Sequence, residues 1–122
     1  MKEKFGGISF DCWPTEYKFA QKRALKKFRS ENSREILFWL FVQFEVFRQW
    51  KNLKAYANKR GVYIIGDIPL YPAYDSADVW LNPQLFKLNP DRSLKKVAGV
   101  PPDYFSATGQ LWGNPVYRWH NH

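Results

Sequence analysis

The residues with the most chemistry in this 122-residue chain are four aspartates and a set of aromatic rings, all in its second half. Asp67 follows the apolar run Val62-Tyr-Ile-Ile65, Asp75 and Asp78 stand three apart, and Asp103 lies between Pro102 and Tyr104. Around Asp103, residues 99–117 hold Tyr104, Phe105, Trp112 and Tyr117 among three glycines and three prolines. Carboxylates accept hydrogen bonds from hydroxyl groups, and flat rings stack on the C–H faces of sugars, so the combination suits a carbohydrate ligand. Any one ring is explained as well by packing onto a core. Taken together, on a loop stiffened by proline and freed from regular structure by glycine, the rings read as a surface for a ligand.

Each carboxylate also has a plainer reading. Asp75 is expected to cap a turn by accepting a backbone hydrogen bond, and Asp103 to set a turn. Asp67 divides evenly between the two readings. An aspartate after an apolar run is costly if buried unpaired, yet strand ends are where α/β folds place ligands and chemistry. Glycoside chemistry needs two carboxyl groups roughly 5 to 10 Å apart, which spacing along the chain does not establish. Phosphate-binding glycine loops, zinc-protease motifs and the GxSxG elbow are missing. His120 and His122 lie at the end of the sequence, where their spacing is no basis for a metal site. Cys12 is the single cysteine, so neither an internal disulfide nor a cysteine-based metal site can form. No metal and no cofactor are expected, and a reducing, cytoplasmic setting fits.

These residues need elements to hold them. Thr15 caps an expected helix over residues 16–29, whose basic face accounts for much of the net charge of +8. Binding of nucleic acid by that face is the less favoured of two alternative readings of the chain; the simpler account of the face is a solvated one, with no nucleic-acid partner. Asn32 and Glu35 resemble a capping pair for a helix running to Arg60, with Gly61 as its stop. Trp39, Val42, Val46, Trp50, Leu53 and Ala57 form one apolar stripe on it, and Leu37, Leu40, Phe44 and Phe47 a second. Residues 62–65 read as a strand buried on both faces of a parallel sheet. Residues 76–80 read as a helical turn with another opening at Pro83. Residues 86–88 and 96–100 read as the arms of a hairpin across residues 89–93. No run of eighteen apolar residues or signal-peptide core is present, so no membrane partner is expected. With 122 residues, a single domain is expected.

Several stretches carry a resemblance beyond pattern: Gln43-Phe-Glu-Val-Phe-Arg-Gln-Trp50, Leu53-Lys-Ala-Tyr-Ala-Asn58, Ile65-Gly-Asp-Ile-Pro69, Asp75-Ser-Ala-Asp-Val-Trp80 and Asn82-Pro83. The most specific is Val100-Pro-Pro-Asp-Tyr-Phe-Ser-Ala-Thr-Gly-Gln-Leu-Trp-Gly-Asn-Pro115. Together they resemble the 4-alpha-glucanotransferases (amylomaltases or disproportionating enzymes) of glycoside hydrolase family 77, over residues 13–117. The resemblance implies an elaborated (β/α)8 barrel that moves α-1,4-glucan segments between malto-oligosaccharides by a retaining mechanism. It implies substrate contacts for Asp67, Asp103, Tyr104, Phe105, Gln110 and Trp112, with Tyr104 and Phe105 at the tip of a loop arching over the cleft. The family's nucleophile is an aspartate in an Arg-x-Asp-His motif, followed by its acid/base glutamate and a third carboxylate. No such motif occurs among these 122 residues, and a whole barrel takes about 250 residues. The chain is therefore expected to be an internal part of a barrel, α/β in class, bearing substrate-binding but no catalytic residues. Alone, it is expected to expose apolar faces and self-associate, and to bind glucan weakly at most.

Overall fold

The computed structural model describes residues 1–68 and 70–120. Its regular elements are four helices, α1 (Thr15–Lys18), α2 (Lys22–Glu31), α3 (Ser33–Asn58) and α4 (Ala77–Leu81), and two strands, β1 (Val97–Val100) and β2 (Gln110–Pro115). Short 3-10 turns cover Lys2–Phe5, Phe10–Cys12 and Pro83–Leu85. The chain divides into two compact units, one formed by Met1–Lys22 with Pro69–His122 and the other by Arg23–Ile68.

The first unit holds the core although little of it is regular. Phe10, Trp13, Val79, Phe86 and Leu88 are buried together, flanked by Phe5, Tyr17, Tyr74, Trp80 and Tyr117. Rings meet edge to face or tilted, as between Trp13 and Trp80 at 5.3 Å and between Phe86 and Tyr117 at 4.8 Å. The indole N–H groups find carbonyls: Trp13 Nε1 donates to Ile8 O and Trp80 Nε1 to Tyr17 O. That second bond bears on a local break. The single helix expected over residues 16–29 is two, α1 and α2, separated by Ala20 in a left-handed conformation (φ 50°). The Tyr17 carbonyl accepts from Ala20 N and from the Trp80 indole, while Gln21 N reaches back to Glu16 O. A tertiary donor has taken a place in the helical ladder, and no breaker residue announces it.

Asp75 does not cap the turn that follows it. Ser76 does, its hydroxyl accepting from Val79 N at 3.3 Å. The Asp75 carboxylate accepts instead from Phe10 N and pairs with Lys2, tying the start of the chain to the α4 segment. The expected hairpin is also replaced. Leu88 pairs with Leu94 in a short bridge, but the partner of β1 is β2, antiparallel, with Val97 opposite Pro115 and Val100 opposite Gln110. Gly99 and Gly109 make this pairing possible: a Cβ on Gly99 would lie 2.5 Å from Gln110 O, and one on Gly109 2.5 Å from Val100 O.

The turn over residues 89–93 closes on side chains. Asp91 Oδ1 accepts from the Ser93 hydroxyl and N–H, bonds that hold its carboxyl below the usual carboxylate range. Tyr74 donates its hydroxyl to Arg92 O at 2.8 Å. Burial pushes the Tyr74 phenol up, and the nearby Asp11 charge adds to the shift.

The second unit is mostly α3, a helix of 26 residues with none buried. Asn32 precedes it, but its side chain donates to Phe28 O rather than capping α3, so the expected capping pair does not form. The stop at Gly61 is as expected, with φ 73°. Most of both apolar stripes is exposed, Phe44 at 62%, with Val42 and Ala57 half-buried. The expected buried parallel strand at residues 62–65 is not formed: the segment is irregular, and Ile65 is 94% exposed. A parallel strand needs neighbours for both its edges and its faces, and the one sheet among the described residues is the β1–β2 pair. No helix of the described residues is long and apolar enough to cross a membrane.

Candidate functional site

The loop between β1 and β2 is short of regular hydrogen bonds yet fixed. Asp103 Oδ1 accepts from Phe105 N and Ser106 N, both at 2.9 Å, which makes the aspartate the organiser of the turn. Asp103 N donates to Ser106 O, and the Ser106 hydroxyl donates to Gly109 O at 2.7 Å. Gly109 holds a φ of 74° that a side chain would strain. A turn closed at both ends has nowhere to fold its largest side chains. Tyr104 is 96% exposed and Phe105 86%, their rings meeting edge to face at 5.6 Å. Two large rings held out in water cost free energy unless something covers them.

The expected site residues fall into three groups. Asp103, Tyr104 and Phe105 share the turn. Gln110 and Trp112 stand two apart on β2, so they point the same way, and Trp112 Nε1 donates to Gln110 Oε1 at 3.0 Å. Asp67 belongs to the other unit, exposed, with Oδ1 accepting from Ile68 N. The reading of Asp103 as a turn former and the reading of it as a ligand contact are compatible. Oδ1 is committed to the backbone, while Oδ2 takes no protein hydrogen bond among the described residues.

One ring escaped notice in the sequence. Tyr71 lies 6.0 Å from Trp112 and 6.4 Å from Tyr117, stacked on the latter, and Tyr117 lies 5.2 Å from Trp119. The four rings form a row. Asn114 positions it by donating Nδ2 to Pro72 O at 2.9 Å, which joins β2 to the Tyr71 segment. The signal in the sequence was the same as for the loop, an aromatic between prolines, Pro69 and Pro72. Beside the row is a cavity of about 400 Å³ lined by Ser76, Asp78 and Asn82 as well as by Phe86 and Tyr117. Asp78 thus lines a cavity, whereas Asp75 is spent on Lys2 and Phe10; their spacing in sequence does not make them a pair. His120 is exposed at the end of the described residues, and His122 lies outside them.

Hydroxyl-accepting oxygens and amides beside stacked rings are an arrangement for a polyhydroxylated ligand. The chain is 54% identical over its whole length to the 4-alpha-glucanotransferase of Aquifex aeolicus, covering 25% of that protein. It is 50% identical over 98% of its length to that of Clostridium butyricum, again covering 25%. Amylomaltase from Streptococcus agalactiae, solved in complex with acarbose, superposes with a TM-score of 0.91 at 42% identity, over 98% of this chain and 24% of that one. The chain therefore spans about a quarter of the length of the curated relatives it matches. The profile of the family described as 4-alpha-glucanotransferase, glycoside hydrolase 77, matches residues 1–122, and the chain belongs to that family.

Proposed function

We propose that the chain builds part of the glucan-binding cleft of a 4-alpha-glucanotransferase with a (β/α)8 barrel. Such an enzyme transfers α-1,4-glucan segments between malto-oligosaccharides, with retention, through a covalent glycosyl-enzyme intermediate. In this reading Tyr104 and Phe105 close over bound glucan, and Trp112 stacks on a sugar ring. Asp103 Oδ2 and Gln110 meet hydroxyl groups, and Asp67 is assigned a substrate contact by the family resemblance alone. The observation that carries it is the pair of rings held 96% and 86% exposed by a closed turn. Exposed rings gain from a sugar face at about 25 cal/mol per Å² of apolar area covered, and the fixed backbone of the turn needs no reordering on binding. The relative solved with acarbose, a malto-oligosaccharide analogue, supports the same ligand class. The single cysteine supports a cytoplasmic setting.

No catalytic carboxylate is assigned to this chain, because the nucleophile and acid/base motifs of the family are not among its residues. Incubation of the purified chain with maltotriose is expected to give no glucose and no longer maltodextrins. Product formation would overturn the assignment of these residues to binding alone. Calorimetry with acarbose tests the binding role: weak heat that Trp112→Ala removes is the expected result, and binding unchanged by that substitution contradicts it.

A further inference from the structure

We propose that a second pocket, lined by Lys87, Lys95, Lys96 and Arg118, is a binding site for a phosphate group. The pocket measures about 400 Å³ and all four of its lining residues are cationic. The backbone gathers them. Lys87 N donates to Val116 O at 2.8 Å, Lys95 N to Lys87 O at 3.0 Å, and Arg118 N to Leu85 O at 2.7 Å. Phe86 and Leu88 turn into the core, so the alternation of an extended chain sends Lys87 between them to the other side. The Arg118 guanidinium is aimed by two carbonyls, Nε donating to Phe86 O at 2.8 Å and Nη2 to Leu88 O at 3.3 Å.

Those two bonds use two of the five guanidinium N–H groups, leaving donors in the planar fork that suits a phosphate. Among the described residues none of the four cations pairs with a carboxylate, and Asp91 in the adjoining turn is committed to Ser93. Four like charges around one cavity repel one another. A dianion relieves that repulsion and replaces it with charge-assisted hydrogen bonds. The site is a pocket rather than a stripe, which suits one phosphate group rather than a nucleic-acid backbone. That group is either inorganic phosphate or a sugar phosphate monoester.

The test is an amide NMR titration of the full chain with inorganic phosphate, repeated with glucose 6-phosphate. Saturable shifts of Lys87, Lys95, Lys96 and Arg118 are expected. The double variant Lys95→Glu/Lys96→Glu is expected to weaken binding by at least about tenfold, as loss of charge-assisted contacts predicts. Both lysines are exposed, so the β1–β2 amide pattern should remain and report an intact fold. Tighter binding of glucose 6-phosphate identifies the monoester as the source, and equal binding identifies free phosphate. No saturable shift, an unchanged double variant, or an equal loss from Lys26→Glu on α2 would overturn the proposal.

Discussion

The two units differ in what holds them. The second is nearly all backbone order: α3 satisfies its own hydrogen bonds over 26 residues and buries no side chain. The first has two short strands and scattered turns, yet it contains the buried rings of Phe10, Trp13 and Phe86. Regularity and burial are separate quantities. The ring row follows burial, because Tyr117 packs on the buried Phe86, while the Asp103 turn is held by its own hydrogen bonds.

The largest expected effect comes from removing that buried ring. Phe86→Ala, at a side chain 2% exposed, is expected to cost about 3–5 kcal/mol and to unfold the first unit. Phe44→Ala, in the second unit, is expected to stay within about 0.5 kcal/mol. Urea melts at concentrations where the chain is monomeric, followed at the β1–β2 amides for Phe86→Ala and at the α3 amides for Phe44→Ala, separate the two. An equal cost for Phe44→Ala would mean that the α3 face is covered in solution.

A helix exposing Leu37, Leu40, Phe41, Phe44 and Phe47 is expected to drive self-association, visible as concentration-dependent sedimentation. Lysine at Phe41 and Phe44 should reduce it. A monomer with a cooperative melt would contradict the expectation.

Glycine substitutions sharpen the same contrast. Gly109→Ala meets both a positive φ and Val100 O at 2.5 Å, and is expected to cost about 2–3 kcal/mol. Gly61→Ala has the same sign of φ but open space around it, so only the left-handed penalty of about 1–2 kcal/mol applies. Thermal shifts of the two variants test the order.

The smallest effect is a pH dependence. Burial raises the Tyr74 phenol above its ordinary value, so its contribution is fully present below about pH 10 and is lost as pH rises beyond it. Melts taken through that range should show the first unit weakening, and Tyr74→Phe should flatten the slope. An unchanged slope would show that the phenol ionises as freely when folded.

The same contrast explains what could be read in the sequence. Helix α3 and its stop at Gly61 were legible because periodicity and a C-terminal glycine are local signals. The helix break at Ala20 was not, since it accompanies an indole hydrogen bond to Tyr17 O from Trp80, 63 residues beyond Tyr17 in sequence. The strand at residues 62–65 failed for a related reason: an apolar run specifies a wish for burial, and only neighbouring strands make it a strand. The hairpin was paired with the wrong arm because closeness in sequence favoured residues 86–88, whereas Gly99 and Gly109 admit β2. Of the site, the loop rings were legible from their proline and glycine setting. The role of Asp103 Oδ1 in the turn was expected, and the nearness of Tyr71 to Trp112 was not.

The most direct test of the account is an amide and indole NMR titration of the chain with acarbose. Shifts concentrated at residues 103–112, the Trp112 indole and Tyr71, with α3 silent, are the predicted result. Shifts confined to α3, or saturable binding that leaves the Asp103 turn unmoved, would contradict it.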